Sequence, residues 1–520
     1  MTLLKPSVMW ICIIGYLLIV MGISRFISWN QRRREGHFNV FKATLPWPLL
    51  VMTYIASLMS VWVFFAGPGG YYRGGLTYWF SEMTYFPMFV VAMYFSTNKI
   101  WVVNARRNYV TPSDCFYDRF RSPMLRIVTG IIFLAASIPY VTSVMVSIAQ
   151  AAPVATGGAM NYTAVVLVIG LAMVVFTTVG GFKSVAWTDT IQGLVFMGCL
   201  VFIGIAALMY CCGGSLTACF HMIYENVGDS WFSYPGTYEW TSYGARFGYP
   251  FSCMIGYTIM LPHVFVRSAY SGMDLRTQRK VMSITPLLQA LVWSFTFLIG
   301  AVGIAALPGM DAGVTEMIIP YIVENIINPA NSGLAVGLMI MFFVGAAGVG
   351  ISTADSFLLV GASVISDDFI IHAFRKELTV RQKERIGRIV ILCIGAIAVL
   401  FALNPPELIY TLIMFSIAIV MPLFPILLYG IYWRRATKKA ALICSIVGTV
   451  VVLMTYFVWN IGGTWYGAIG LAVNAILMPV ISLWDKPDNP AESEEFYAAL
   501  EEGTERFYDI RHPKSSKEKA

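Results

Sequence analysis

Residues 333–371 read GLAVGLMIMFFVGAAGVGISTADSFLLVGASVISDDFII, an apolar run whose first charge is Asp355 and whose next is Asp367. A helix needs about 20 apolar residues to cross a ~30 Å hydrocarbon core. This run far exceeds that, so it spans a membrane. Two adjacent hydroxyls, Ser352 and Thr353, sit inside it. Successive helical residues lie ~100° apart, so both can face one point at nearly the same depth.

Reading outward gives thirteen such segments: 8–28, 47–66, 77–97, 124–152, 162–180, 186–212, 247–268, 281–307, 333–371, 386–403, 407–432, 438–460 and 464–484. The first has too long an apolar stretch for a signal peptide, and no small-residue cleavage site follows it. The 520 residues are 58% hydrophobic and only 12% charged, and the mean hydropathy is +0.70. Soluble proteins are about 25% charged, so a soluble enzyme, a disordered chain and a nucleic-acid binder are excluded. Nine cysteines form no CxxC pair and no Cys/His cluster, which argues against a disulfide framework or a metal centre.

Charge placement checks the count. With the N-terminus outside, 32 of the 35 Lys and Arg fall on the inner side, and only Lys5, Arg73 and Arg246 lie outside. Inner loops carry this excess in membrane proteins. The expected topology is N-terminus out and C-terminus cytoplasmic, in the plasma (inner) membrane. The net charge of +7 then needs no anionic partner. The expected organisation is a transmembrane domain over 1–485 and a polar cytoplasmic tail over 486–520. Phe496, Tyr497 and Leu500 make that tail a short amphipathic piece or disorder.

Spans two to six and seven to eleven make two groups of five, the arithmetic of an inverted repeat, over about 47–212 and 247–432. Each group opens on an interrupted helix: Ala66-Gly67-Pro68-Gly69-Gly70 in the first, Gly256 and Pro262 in the second. Interrupted helices in matching places point to a midplane binding site.

Three stretches are more specific: Gly180 to Gly193 (GGFKSVAWTDTIQG), Gly348 to Ser356 (GVGISTADS) leading to Ser366-Asp367-Asp368-Phe369, and Tyr432 to Ala440 (YWRRATKKA). Together they resemble the sodium/solute symporter family, which includes proline and pantothenate permeases and sodium/sugar and sialic acid symporters. The resemblance implies an all-α polytopic protein with a leucine-transporter-like core of two inverted five-helix repeats. It also implies sodium-driven uptake by alternating access.

Sodium, like other hard cations, prefers oxygen ligands, which inside a membrane come from hydroxyls or unwound backbone. Ser352 and Thr353 supply the hydroxyls. The family pattern adds the carbonyls of Val349, Ala56 and Met59, with Na+ as the co-transported ion and no other metal. Some relatives hold a second sodium with a hydroxyl at the position of Val349, which valine lacks, so a single sodium is expected. Proline permeases carry a carboxylate where this chain has Leu58. By the same resemblance Asp189 lies on the inner sodium exit route. Asp355 reads equally as a structural hydrogen-bonding residue or a functional one. Asp367 and Asp368 read as solvated.

Substrate-binding candidates are Ser57, Ser60, Trp62, Glu82, Tyr140, Gln150 and Tyr257, with Thr142 also on the cavity wall. Glu82 lies where sugar and sialic acid relatives carry a polar substrate contact, and a carboxylate there favours hydroxyl, amine or amide groups. The alternative is a solvated position at the outer mouth. His263 is expected to satisfy backbone freed by Pro262. The aromatics of loop 213–246 read as an interfacial belt in preference to a lid. The five histidines are scattered and build no acid/base cluster, so no enzymatic activity is expected.

The function expected is a sodium-coupled secondary symporter for a small polar organic solute, an organic acid or amino acid preferred. The alternatives are a proton-coupled or facilitated transporter of the same fold, or a transporter-like sensor. The expected partners are a small-molecule substrate and the lipid bilayer, with no nucleic acid and no obligate protein.

Overall fold

A computed structural model describes residues 4–35, 44–83, 85–179, 182–233, 259–374, 377–405, 409–461 and 465–511. Among the described residues its secondary structure is predominantly helical. In chain order the principal helices are α1 (Pro6–Glu35), α2 (Trp47–Met59), α3 (Ala66–Met83), α4 (Tyr85–Ala92), α5 (Asn98–Arg107), α6 (Pro112–Phe120), α7 (Pro123–Ala155), α8 (Tyr162–Val179), α9 (Phe182–Cys212) and α10 (Leu216–Val227). They continue with α11 (Pro262–Phe265), α12 (Leu275–Ala306), α13 (Ser332–Ser363), α14 (Val380–Leu403), α15 (Ile409–Val420), α16 (Leu423–Tyr432), α17 (Lys438–Phe457), α18 (Trp465–Trp484) and α19 (Pro490–Arg511).

Among the described residues nine helical stretches are long and apolar enough to cross a membrane, and Trp47–Met59 and Tyr162–Thr178 are shorter apolar helices. These account for eleven of the thirteen expected spans. Of the other two, the third is divided between α3 and α4, and much of the seventh lies outside the described residues. Helix starts follow local chemistry. The Asp274 carboxylate accepts from the Thr277 N–H at 2.7 Å to open α12. The Asn331 side chain accepts from the Leu334 N–H at 3.0 Å to open α13. Each satisfies a donor that the helix cannot pair internally.

The core is the bundle of α2, α7, α9, α12 and α13, with α13 packed along α9 and α7, and α12 along α3 and α9. Gly350 lets α13 approach closely: a Cβ there would lie 2.7 Å from Val144 and 2.9 Å from Val61. The pair α17–α18 packs together at the side of the bundle.

In the tail beyond Trp484, Pro490–Arg511 forms the helix α19. Phe496, Tyr497 and Leu500 are buried, so the amphipathic reading is the one realised. Its acidic face meets basic residues at the end of α5 and in the connection from α16 to α17: Glu495 pairs with Arg107 at 2.7 Å, Glu501 with Arg434 at 2.6 Å and Glu492 with Lys438 at 2.8 Å.

Three sequence expectations change. The interruption of the second span falls at Ser60, not at Ala66–Gly70, which instead starts α3. Pro68 is tolerated in that first turn because its missing N–H would have had no partner there. Asp367 and Asp368 are buried, not solvated. Asp368 accepts from Arg126 at 2.7 Å and Thr111 at 2.9 Å, and Asp367 pairs with Lys383 at 3.0 Å. Trp231 is fully buried and donates to the Tyr71 carbonyl at 3.2 Å, so an interfacial position does not describe it. Residues 234–246 of that loop lie outside the described residues.

Candidate functional site

The site is built on the break that ends α2. Ser60 adopts φ 54°, a left-handed conformation, and a 3-10 turn over Val61–Val63 follows. The last four carbonyls of a helix have no partner within it, so ending α2 at Met59 frees those of Ala56 to Met59. α13 crosses at this point. The Thr353 hydroxyl lies 3.1 Å from the Ser57 carbonyl and 3.0 Å from the Val349 carbonyl of its own helix. His263 Nε2 is 3.2 Å from the same Ser57 carbonyl. His263 thus serves the backbone freed at the other broken helix, and Pro262 stands at the first position of α11. The expected oxygens of Ala56, Met59, Val349, Ser352 and Thr353 all belong to fully buried residues at this crossing.

Beside it lies a polar cluster larger than the sequence reading anticipated. Asp189, in the second turn of α9, accepts from the Thr53 hydroxyl at 2.5 Å and from Arg267 Nη2 at 3.2 Å. Arg267 also donates to Ser356 Oγ at 2.6 Å, to Thr53 Oγ1 at 3.1 Å and to the His263 carbonyl at 3.3 Å. Its guanidinium stands over the Phe182 ring. Asp189 is 0% and Arg267 1% exposed, which makes this a fully desolvated ion pair joining α2, α9, α13 and the turn after α11. The topology count treats Arg267 as a loop charge, yet the structure places it inside. A signal was present: Arg267 stands one helical turn after His263, at the edge of an apolar run.

Asp355 is also fully buried and accepts from Thr177 on α8 in a short hydrogen bond. Its carboxylate therefore reaches a different helix from the Ser352–Thr353 pair. Arg73, assigned to the outer loop by charge counting, is 3% exposed and is likewise interior.

The substrate candidates divide. Ser57 belongs to the Asp189 cluster, with its hydroxyl 3.1 Å from Ser356 Oγ. Tyr140 stacks on Phe357 at 4.6 Å between centroids and lies edge-on to His263 at 6.2 Å. Ser60 and Trp62 sit on the break, and among the described residues neither the Ser60 hydroxyl nor Trp62 Nε1 has a hydrogen-bond partner. The Trp62 ring meets Tyr71 at 6.0 Å and Trp293 at 5.9 Å. Glu82 is fully buried and accepts from the Tyr71 hydroxyl, so the solvated reading fails. It joins the Trp62 group through Tyr71.

Gln150 is half-buried. It lies ten residues beyond Tyr140, about 15 Å along α7 at 1.5 Å per residue, and so stands apart from this group. Thr142 turns toward α14, within 3.4 Å of the Ala398 carbonyl, and leaves the cavity wall. Tyr257 lies outside the described residues.

One residue was overlooked. Gln289 on α12 is 1% exposed, and neither of its amide atoms has a hydrogen-bond partner among the described residues. It lies one turn before Trp293 and two before Thr296, on one helical face. Trp293 meets Trp62, and the Thr296 hydroxyl lies 3.4 Å from the Val63 carbonyl. Buried polar groups are normally paired, and Ser60, Trp62 and Gln289 place groups without a partner among the described residues along this wall. The spacing of Gln289, Trp293 and Thr296 within an apolar run was the available signal.

Among the described residues no group of three or more His, Cys, Asp or Glu is arranged to hold a metal ion. The donors at the α2–α13 crossing are neutral carbonyls and hydroxyls, a set suited to a monovalent hard cation.

Comparison with known proteins bears on this geometry. The family model described as "Sodium:solute symporter family" matches residues 42–448. A sodium/pantothenate symporter of Haemophilus influenzae is 26% identical over 450 residues, covering 84% of this chain and 88% of the relative. The sodium/proline symporter of Escherichia coli is 24% identical over 513 residues, covering 92% and 94%. Among solved structures, an outward-open, substrate-bound Na+-coupled sialic acid symporter superposes with a TM-score of 0.77 at 18% identity, covering 92% of this chain and 98% of that one. Mhp1, a nucleobase-cation-symport-1 family transporter, gives a TM-score of 0.55 at 14% identity, covering 88% and 99%. At these identities the structural likenesses speak for the fold, which is that of the leucine-transporter-like symporters.

Proposed function

Since the chain belongs to the sodium:solute symporter family, an integral membrane family whose curated relatives here are sodium-coupled symporters and not enzymes, we propose that it imports a small organic acid or amino acid together with one sodium ion. The repeats 47–212 and 247–432 alternate access to a site at the α2 break. The membrane is the plasma membrane, with the N-terminus outside and the tail of α19 inside. The bias of positive charge supports that orientation.

The observation that carries the reading is the crossing of α13 over the end of α2. There the Thr353 hydroxyl reaches the Ser57 carbonyl at 3.1 Å, beside carbonyls that helix termination has freed. Sodium sits among Ala56, Met59, Val349, Ser352 and Thr353, and it leaves past Asp189. The solute sits on the far side of the break against Ser60, Trp62, Tyr140 and Gln289.

No Lys or Arg lies beside Ser60, Trp62 and Gln289 among the described contacts, so a carboxylate there is held by neutral donors: the Trp62 and Gln289 N–H groups, the Ser60 hydroxyl and the backbone N–H groups that follow the break. Helix N-termini hold anions in this way. The Gln289 carbonyl oxygen remains free to accept from an amine or hydroxyl of the same solute.

Two experiments test this. Ser352→Ala with Thr353→Ala should abolish sodium-driven uptake and leave the folded protein intact by size-exclusion profile; sodium-dependent flux that persists would remove the ion site from this crossing. A thermal-shift panel of carboxylates, amino acids, vitamins and sugars, with sodium or with choline, identifies the solute. A ligand that stabilises only with sodium supports symport, because coupled ligands strengthen one another reciprocally. One that stabilises equally in choline points to a different coupling.

A further inference from the structure

Cys211, Cys212 and Cys219 stand close together in the chain, where α9 ends and α10 begins. In the orientation proposed above this is the outer end of the sixth span. The turn between the two helices is tight. Gly213 and Gly214 take φ 60° and 78°, a left-handed pair that glycine adopts without steric cost. The Ser215 N–H donates to the Cys212 carbonyl at 3.2 Å, and the Cys219 N–H donates to the Ser215 carbonyl at 3.0 Å. The turn folds the chain back, and the first turn of α10 then brings Cys219 against Cys212. Their two thiols hydrogen-bond to each other. Cys212 is 5% and Cys219 0% exposed. Both are free thiols, and Cys211 beside them is half-buried.

The two ends of α10 are held differently. At the far end the Asn226 amide donates to the Ile304 and Ala305 carbonyls of α12 at 3.3 and 2.7 Å. Beyond it, Trp231 lies buried against α3 and donates to the Tyr71 carbonyl. At the near end the chain passes through two consecutive glycines, the residue type with the most backbone freedom.

We propose that Cys212 and Cys219 form a disulfide on the outer face, which closes a ring over residues 212–219 and anchors the near end of α10. An S–S bond is about 2.0 Å long, and thiols already in hydrogen-bond contact reach it by side-chain rotation. Two S–H bonds break and one S–S bond forms. The two electrons and two protons pass to a thiol–disulfide exchange partner, an oxidised protein or small-molecule disulfide, whose own S–S bond becomes two thiols. The outer compartment keeps such partners oxidised, and the cytosol does not. A search for CxxC spacing passes over this pair, because the fold of the turn and not its sequence spacing joins the two sulfurs. The inference goes beyond the transport reading and rests on its orientation.

The test uses the full-length protein, purified from membranes under alkylating conditions without reductant. Chymotryptic cuts after Tyr210, Leu216 and Phe220 leave Cys211 and Cys212 in one peptide and Cys219 in another. The two peptides should appear joined and two hydrogens lighter than their sum, with the remaining cysteine alkylated. Reduction before alkylation should separate them. Cys211→Ser should keep the link, and Cys212→Ser should lose it. Reductant should lower the apparent melting temperature of the parent and leave that of Cys212→Ser unchanged, since a cross-link restricts the unfolded chain.

Two separate, fully alkylated peptides from the parent overturn the disulfide. Oxidised glutathione added to the purified protein then separates the causes. A link that forms only on this addition overturns the outer placement of the turn, and no link even then overturns the meeting of the thiols. A link that survives in Cys212→Ser overturns the pairing and gives the bond to Cys211. A linked parent whose melting temperature ignores reductant overturns the role as an anchor. Sodium-driven uptake, measured separately, tests the transport reading independently of the link.

Discussion

Neutralising Asp189 leaves a guanidinium in the protein interior with its countercharge gone. Arg267 is 1% exposed, so water cannot replace the carboxylate. Removing one member of a buried ion pair costs about 3–5 kcal/mol. Asp189→Asn belongs at the lower end, about 3 kcal/mol, for two structural reasons. Asparagine keeps an oxygen of the same reach for the Thr53 hydroxyl, which donates at 2.5 Å. Arg267 also retains Ser356 Oγ at 2.6 Å and the His263 carbonyl at 3.3 Å.

The double variant Asp189→Asn with Arg267→Gln removes both charges and should recover most of the loss, with a coupling of about 2–3 kcal/mol. The assay is the apparent melting temperature of the purified protein in detergent, at equal sodium, for the two single variants and the double. The double variant should melt clearly above Asp189→Asn. If it melts at or below the single variant, the pair is not an electrostatic unit and the reasoning fails.

Gln289→Leu replaces an amide that has no hydrogen-bond partner among the described residues by an apolar side chain of similar size, so it should stabilise the ligand-free protein by about 1 kcal/mol while raising the solute KM at least tenfold and leaving sodium affinity nearly unchanged; a KM equal to the parent's would take Gln289 off the proposed pocket wall. Gly75→Ala puts a Cβ 2.2 Å from the Trp231 carbonyl at φ 67°, a backbone region other residues avoid at a cost of about 1–3 kcal/mol; a lower melting temperature and altered Trp fluorescence are expected, and a neutral result would contradict the close packing of α3 on Trp231. The hydrogen bond from Arg107 holds the Glu495 carboxyl below the usual carboxylate range. A depressed folded-state value stabilises above the ordinary pKa of about 4.3 and is lost as pH falls through the folded value. The docking of α19 should therefore be insensitive to pH from 7 to about 5 and loosen below about 4, as followed by limited proteolysis of the tail.

Much of the fold was legible because a membrane constrains it. Hydrocarbon demands about 20 apolar residues per span, and it pushes positive charge to one side. The run containing Ser352 and Thr353 could thus be placed by composition alone. Burial of charge was not legible in the same way. Arg73 and Arg267 stand at span edges, where composition cannot distinguish a loop arginine from one folded into a polar cluster. Asp368 was read as solvated for the same reason, yet its partners Arg126 and Thr111 come from 242 and 257 residues earlier in the chain.

The position of the first break was blurred for a different reason. Gly67, Pro68 and Gly69 carry the composition of a break, but the glycines are there for close approach. The left-handed residue is Ser60, a type that gives no such signal. Gln289 escaped notice because a single amide in an apolar helix has no motif, and only its lack of partners after folding distinguishes it.

The Thr353 hydroxyl faces two carbonyls at nearly equal distance, 3.1 Å to Ser57 and 3.0 Å to Val349, and it owns one proton. It can serve only one acceptor fully at a time, and its own lone pairs are untouched by either choice. An arriving cation can therefore draw on this oxygen by a turn of one C–O bond, without unwinding a helix turn. Side-chain rotation takes picoseconds to nanoseconds, and helix rearrangement takes microseconds or longer. On the proposed reading, ion capture at this crossing is separated in time from the motion it drives: the first event is the swing of a rotor, and the proposed rocking of the repeats runs on a clock at least a thousandfold slower.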